Sequence, residues 1–212
     1  MRRPGRVAIV VALAGILAIA GCTPTASTTP GPATLTPATS PSASVTPGVQ
    51  SSSPAAGAGS VAVDPALLDL LPADIDGQPL RPDAETAGDI AATGDLAQDI
   101  AAIAVGLYIQ PGTSTADDLA IVSVVRLQPG VFDDEWFRSW RATYDEGACQ
   151  VAGGVAPGGA ETRIGDHDTH IGTCEGGVHT YHVHLEDPDR VISISAAGEG
   201  RFGERVVAGL TE

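Results

Sequence analysis

The chain has 212 residues, with 26 acids against 11 basic residues that are all arginine, and a formal net charge of −15. So acidic a protein repels phosphate backbones and anionic lipid headgroups, so nucleic-acid binding has no electrostatic basis. The lack of lysine removes Schiff-base, Walker and Ser-Lys chemistry, and G-x-S-x-G, H-E-x-x-H, C-x-x-C and glycine-rich dinucleotide motifs are also missing.

Arg2, Arg3 and Arg6 precede and flank the start of an apolar run of about 13 residues that begins at Val7 and closes on small residues. That is the plan of a secretory signal, too short for a permanent bilayer span. Its end, Ile19-Ala20-Gly21-Cys22, resembles the lipobox of bacterial lipoproteins. The resemblance implies that Cys22 takes a diacylglyceryl thioether, that cleavage makes it the first mature residue, and that its amino group is acylated too. Two or three acyl chains, at ~0.8 kcal/mol per buried methylene, hold a protein on a membrane where one does not. The expected location is the extracytoplasmic face of the cell membrane, with the acyl chains on Cys22 as the membrane contact. An ordinary secreted protein, cut after Ala20 or Gly21, is the alternative. Loss of the three signal arginines takes the formal charge from −15 to −18.

Thr23 to Ser60 carries no charge and is almost wholly Thr, Ser, Pro, Ala and Gly, a composition that cannot offset chain entropy by burial. Read as a coil, it spaces the domain roughly 34 Å from the bilayer. The expected organisation is a signal over 1–21, a lipidated cysteine and tether over 22–60, and a single domain over 61–212.

Asp64 and Pro65 open a short capped helix that Pro72 stops, and Ile75 to Leu80 is a turn into a short strand. The apolar spacing predicts a helix over Asp89 to Ile100, weakened by Gly94. Two β-branched stretches, Ala102 to Ile109 and Leu119 to Leu127, predict strands joined through a longer loop. Asp133 to Glu146 carries the strongest helix signal, with Asp133 as cap, Phe132 and Phe137 as a hydrophobic staple, and an aromatic ridge of Trp136, Phe137, Trp140 and Tyr144 that reads as core.

Strands are predicted over Glu161 to Ile164, Asp168 to Cys174, Val178 to Leu185 and Arg190 to Ala196, then a helix over Gly200 to Leu210. A two-residue turn at Gly176-Gly177 sets a register in which Cys174 faces His179, Gly172 faces Tyr181 and His170 faces Val183. Tyr181, Val183 and Leu185 then line the core, and Ile171 falls on the opposite side. With Cys22 acylated, Cys149 and Cys174 remain, and an exported pair is expected to form a disulfide worth roughly 3.5 kcal/mol. A reactive or metal-binding thiol pair is the rival.

All five histidines fall between His167 and His184. His182 and His184 share a strand face about 7 Å apart, and with His167 or Glu186 they form a candidate set for Zn²⁺, Cu²⁺ or Ni²⁺. Asp74-x-Asp76-Gly77 echoes part of a calcium loop without its remaining ligands.

The opening Leu70-Leu71-Pro72-Ala73-Asp74-Ile75-Asp76-Gly77 and the stretch from Ile164-Gly165-Asp166 through Tyr181 resemble a group of exported actinobacterial domains of unknown function. The resemblance implies an α+β fold, an antiparallel meander sheet with helices packed on one face, and it carries no activity. The expectation is a non-catalytic binding domain for an envelope ligand or protein, without a cofactor. The alternatives are a metal-dependent protein using the histidine hairpin, or a structural envelope component.

Overall fold

The computed structural model describes residues 60–110, 118–186 and 188–211; the signal, Cys22, the chain through residue 59 and the 111–117 connection lie outside the described residues. Strand β1 (Ala62–Val63) leads to a 3₁₀ helix, Pro65–Leu70, whose cap Asp64 accepts from the Ala66 N–H while proline fills the first helical position. Strands β2 (Asp74–Ile75) and β3 (Gln78–Pro79) make a small separate hairpin, and β4 (Arg81–Pro82) returns to the main sheet.

The first α-helix lies earlier than the apolar spacing implies: α1 covers Ala84–Ala91 and not 89–100. Asp83 starts it, its carboxylate accepting from both the backbone N–H and the hydroxyl of Thr86. The helix stops ahead of Gly94, Leu96–Gln98 makes one 3₁₀ turn, and Ile100 begins a strand. A cap with two hydrogen bonds outweighs a weak apolar period interrupted by glycine.

Strands β5 (Ile100–Gln110) and β6 (Asp118–Leu127) pair antiparallel, and Asp118 accepts from the Gly200 N–H. β10 (Arg190–Ala197) lies on the far side of β6, followed outward by β9 (His179–Leu185), β8 (His167–Thr173) and β7 (Ala160–Ile164). The sheet order is β1-β5-β6-β10-β9-β8-β7 with β4 also on β5, antiparallel throughout except for the β1–β5 pair. The fold is α+β.

Helices cover both faces of this sheet, a correction to the expectation of one. On one face Tyr181, Val183, Ile192, Ile194, Val122 and Val124 pack against the 3₁₀ helix through Leu67 and Leu68 and against α3 (Phe202–Ala208) through Phe202, Val206 and Val207. On the other, Ile103, Val125 and Val191 pack against Leu96 and against Phe137 and Trp140 of α2 (Asp134–Cys149). Adjacent residues such as Val124 and Val125, or Val191 and Ile192, are all fully buried, so the central strands are apolar on both sides and each side requires a cover. Each such side chain contributes about 1.5–3 kcal/mol relative to exposure. Among the described residues no helix is long and apolar enough to cross a membrane.

α2 follows its local signals. Asp133 accepts from the Trp136 N–H at 2.7 Å, Asp134 and Glu135 sit in the positive first turn, and the Phe132 and Phe137 rings lie 5.8 Å apart as a staple. Phe137, Trp140 and Tyr144 are buried core. Cys149, the last residue of α2, bonds Cys174 across 25 positions with the Cα atoms 5.1 Å apart, which staples α2 to the β8–β9 turn.

That turn overturns the expected register. The Cys174 N–H donates to the Val178 carbonyl, the Gly177 N–H donates to the Cys174 carbonyl, and Gly177 sits at φ 79°. The connection is therefore Glu175-Gly176-Gly177, a three-residue loop closed by a left-handed glycine, in place of a two-residue turn. Thr169 pairs with Val183, His170 with His182, Ile171 with Tyr181 and Thr173 with His179. A slip of one residue turns every β8 side chain over. Ile171 joins Tyr181 on the α3 face, and His170 and Gly172 move to the α2 face, where the same alternation carries Cys174 toward Cys149.

Candidate functional site

The sheet beneath the second half of α2 is polar: Ser123, Thr180, His182, Ser193 and Ser195 are all buried. Trp140 Nε1 donates to Ser193 Oγ at 2.9 Å, and that oxygen lies 3.0 Å from His182 Nδ1. His182 Nε2 lies 2.9 Å from Asp145 Oδ1, which also accepts from the Thr180 hydroxyl at 2.6 Å. The Asp145 carboxylate only accepts, so His182 Nε2 carries a proton; burial favours the neutral ring, whose Nδ1 then accepts from the Ser193 hydroxyl while that oxygen accepts from Trp140, an assignment made from the network. Burial lowers the His182 pKa, with Asp145 opposing, and pushes Tyr144 up to about 12. Tyr144 Oη donates to the Ser193 carbonyl and accepts from Ser195 Oγ at 3.1 Å.

This row contains the residue types of a hydrolase triad, but the geometry differs. Ser193 is 0% exposed and its oxygen already accepts from Trp140, so the row locks α2 to the sheet and offers no nucleophile to a substrate.

Beside the row, between α2 and the β7–β8 edge, lies a cleft of about 240 Å³ lined by Arg141, Asp145, Glu161, His170, Gly172 and His182 among others. Glycine at 172 is required: a Cβ there would strike Thr180 Oγ1 and lie 2.8 Å from Asp145 Oδ2, so its absence lets the carboxylate rest on the strand. The Arg141 guanidinium carbon lies over the Phe137 ring, 5.0 Å from its centroid. Arg141 Nε and His170 Nδ1 are buried without a hydrogen-bond partner, and they are the only two such side-chain atoms among the described residues. His170 Nδ1 is 3.0 Å from Glu161 Oε1, within ion-pair distance but not aligned as a hydrogen bond. Burial lowers the Arg141 pKa, with Glu161 and Asp145 raising it again; burial and the Arg141 charge lower that of His170.

The metal set expected at His167, His182 and His184 is not assembled. His182 and His184 do share a face, but α2 covers it: both ring nitrogens of His182 are engaged, and His184 stacks on Phe132 with centroids 3.4 Å apart and its Nε2 3.1 Å from Asp189 Oδ1. His167 pairs with Ile164 and lies on the α3 side with Thr169, while Glu186 is exposed. Among the described residues no group of three or more His, Cys, Asp and Glu side chains could hold a metal ion. The calcium echo also dissolves, since Asp74 accepts from the Gly77 N–H and Asp76 pairs with Arg205. Cys22 lies outside the described residues.

Sequence reasoning missed Arg141, Asp145 and His170 as one group. The spacing of four between Arg141 and Asp145, placing both on one side of α2, was the available signal. A second hollow of about 380 Å³, lined by Pro65, Leu68, Asp69, Leu71, Ala73, Leu80 and Pro82, has Asp69 as its one charged side chain. No protein-family model, no curated protein and no solved structure matches this chain.

Proposed function

We propose that the chain is a lipoprotein held on the extracytoplasmic face of the cell membrane by acyl chains on Cys22, and that its domain is a non-catalytic binding module for a small polar ligand. The observation that carries the binding reading is that Arg141 and His170, the two side chains with a buried nitrogen lacking a hydrogen bond among the described residues, line one cleft. Buried polar groups are nearly always hydrogen-bonded, and each one left alone costs about 1–3 kcal/mol. A ligand that satisfied both would recover that free energy on binding. Export is supported by the Cys149–Cys174 disulfide, which belongs to an oxidising compartment and leaves Cys22 as the remaining cysteine. The sealed position of Ser193 supports binding over hydrolysis.

Two measurements test this hypothesis. Radiolabelled palmitate fed to expressing cells should label the wild type and not Cys22→Ala, and the variant should leave the membrane fraction; an unlabelled, soluble wild type refutes the anchor. Ligand-observed NMR with mixtures of polar metabolites should give hits that Arg141→Met loses. Hits that survive the substitution, or none at all, refute the cleft as the binding site.

A further inference from the structure

We infer that the cleft takes a small organic carboxylate that also carries a hydrogen-bond donor, the chemistry shared by α-amino and α-hydroxy acids. This rests on the reading of the cleft as a ligand site.

The cation comes first. Arg126, Arg163, Arg201 and Arg205 each pair with an acid. Arg81, Arg138 and Arg141 form no ion pair with a described residue, and of these three Arg141 is half-buried while Arg81 and Arg138 are exposed. The Arg141 guanidinium lies over the Phe137 ring, 5.0 Å from the centroid, and a planar fork matches a carboxylate through two parallel hydrogen bonds. Asp145 supplies the other end. Its Oδ1 is engaged by Thr180 and His182, while Oδ2, beside Gly172, accepts from no described residue and is open to a donor on the ligand. His170 lines the same space and its Nδ1 lacks a hydrogen bond; Glu161, whose side chain is 78% exposed, lies against it and is able to swing away.

Charge and size narrow the class further. Asp145 and Glu161 repel a phosphate dianion, and Arg141 repels a divalent metal, so a ligand negative at one end and donating at the other fits best. A cavity of about 240 Å³ is smaller than the roughly 300–1,000 Å³ of sites for drug-sized ligands and suits a molecule of few heavy atoms.

The experiment is a calorimetric titration of the full chain, purified from membranes in detergent, with L-alanine, L-lactate, acetate and inorganic phosphate up to the order of 10 mM, where a millimolar site is visible. Alanine or lactate should bind, and acetate, which lacks the donor, at least about tenfold more weakly. Arg141→Met should weaken binding by at least about tenfold, with the melting temperature of the unliganded variant measured alongside. If that variant melts early, Arg141→Lys, which keeps the charge and loses the fork, should show the same loss. Preference for phosphate or acetate, still dependent on Arg141, overturns the ligand class and leaves the cleft as a site. Alanine or lactate binding unchanged in both variants overturns the cleft itself. No binding of any probe overturns the ligand class, and the metabolite screen then decides the broader reading.

Discussion

Replacing Ser193 by alanine removes one hydroxyl from the centre of the row beneath α2. Trp140 Nε1 then loses its acceptor and His182 Nδ1 its donor, both inside a buried region. At about 1–3 kcal/mol for each of the two buried groups left alone, the expected loss is about 2–6 kcal/mol. A domain of this size shifts by about 2–4 °C per kcal/mol, so the midpoint should fall by about 4–24 °C. Ser123→Ala is the control: its hydroxyl reaches the Ser193 carbonyl at 3.3 Å and the Tyr144 hydroxyl, both of which keep another hydrogen bond when it is removed, so about 0.5–1 kcal/mol is expected. The assay is thermal unfolding of the full chain followed by near-UV circular dichroism and by the fluorescence of Trp136 and Trp140. A Ser193→Ala midpoint within about 2 °C of wild type, or a Ser123→Ala loss of equal size, would refute the hydrogen-bond assignment of the row.

Three further outcomes follow from the same geometry. Opening the disulfide by Cys149→Ala with Cys174→Ala should cost about 3.5 kcal/mol in the chain-entropy treatment for a separation of 25, or roughly 10 °C, and a shift below about 3 °C would show that the bridge does not constrain the unfolded chain. Burial holds His170 and His182 below the usual 6.5, so the unfolded chain takes up protons first as pH falls; their contribution is complete above about 6.5 and is lost as pH drops toward the folded values. Urea midpoints should therefore be lower at pH 5 than at pH 7.5, and equal or reversed midpoints would contradict this. Gly172→Ala should destabilise by about 1–3 kcal/mol, because the new methyl displaces the Asp145 carboxylate and the Thr180 hydroxyl; unchanged stability in urea would show that α2 moves away freely.

The parts of the fold legible in the residues are those decided within a few positions. Asp133, Phe132 and Phe137 mark the start of α2 because cap and staple lie within one turn. The β-branched runs mark β5 and β6, and cysteine counting pairs Cys149 with Cys174. Asp83 was the overlooked signal for α1: an acid behind Pro82 with a threonine three residues on outranks the alanine-rich stretch after it. The β8–β9 register was missed because Glu175-Gly176-Gly177 supports either a two- or a three-residue loop, and only Gly177 at φ 79° distinguishes them. From that single slip followed the wrong neighbour for the face of His182 and His184: His170, opposite His182, shares it and His167 does not.

Sequence alone determined the acidity, the arginine-only basic set, the lipobox-like Cys22 pattern, most element positions and the cysteine pair available for bonding. Each of these depends on composition or on neighbours along the chain. Tertiary structure alone decided that both sheet faces are covered, that His182 lies sealed between Ser193 and Asp145, and that Arg141, Asp145 and His170 meet in one cleft. Those facts turn on which strand face a helix covers and on a register with a period of two, where one residue in a loop exchanges the inside for the outside.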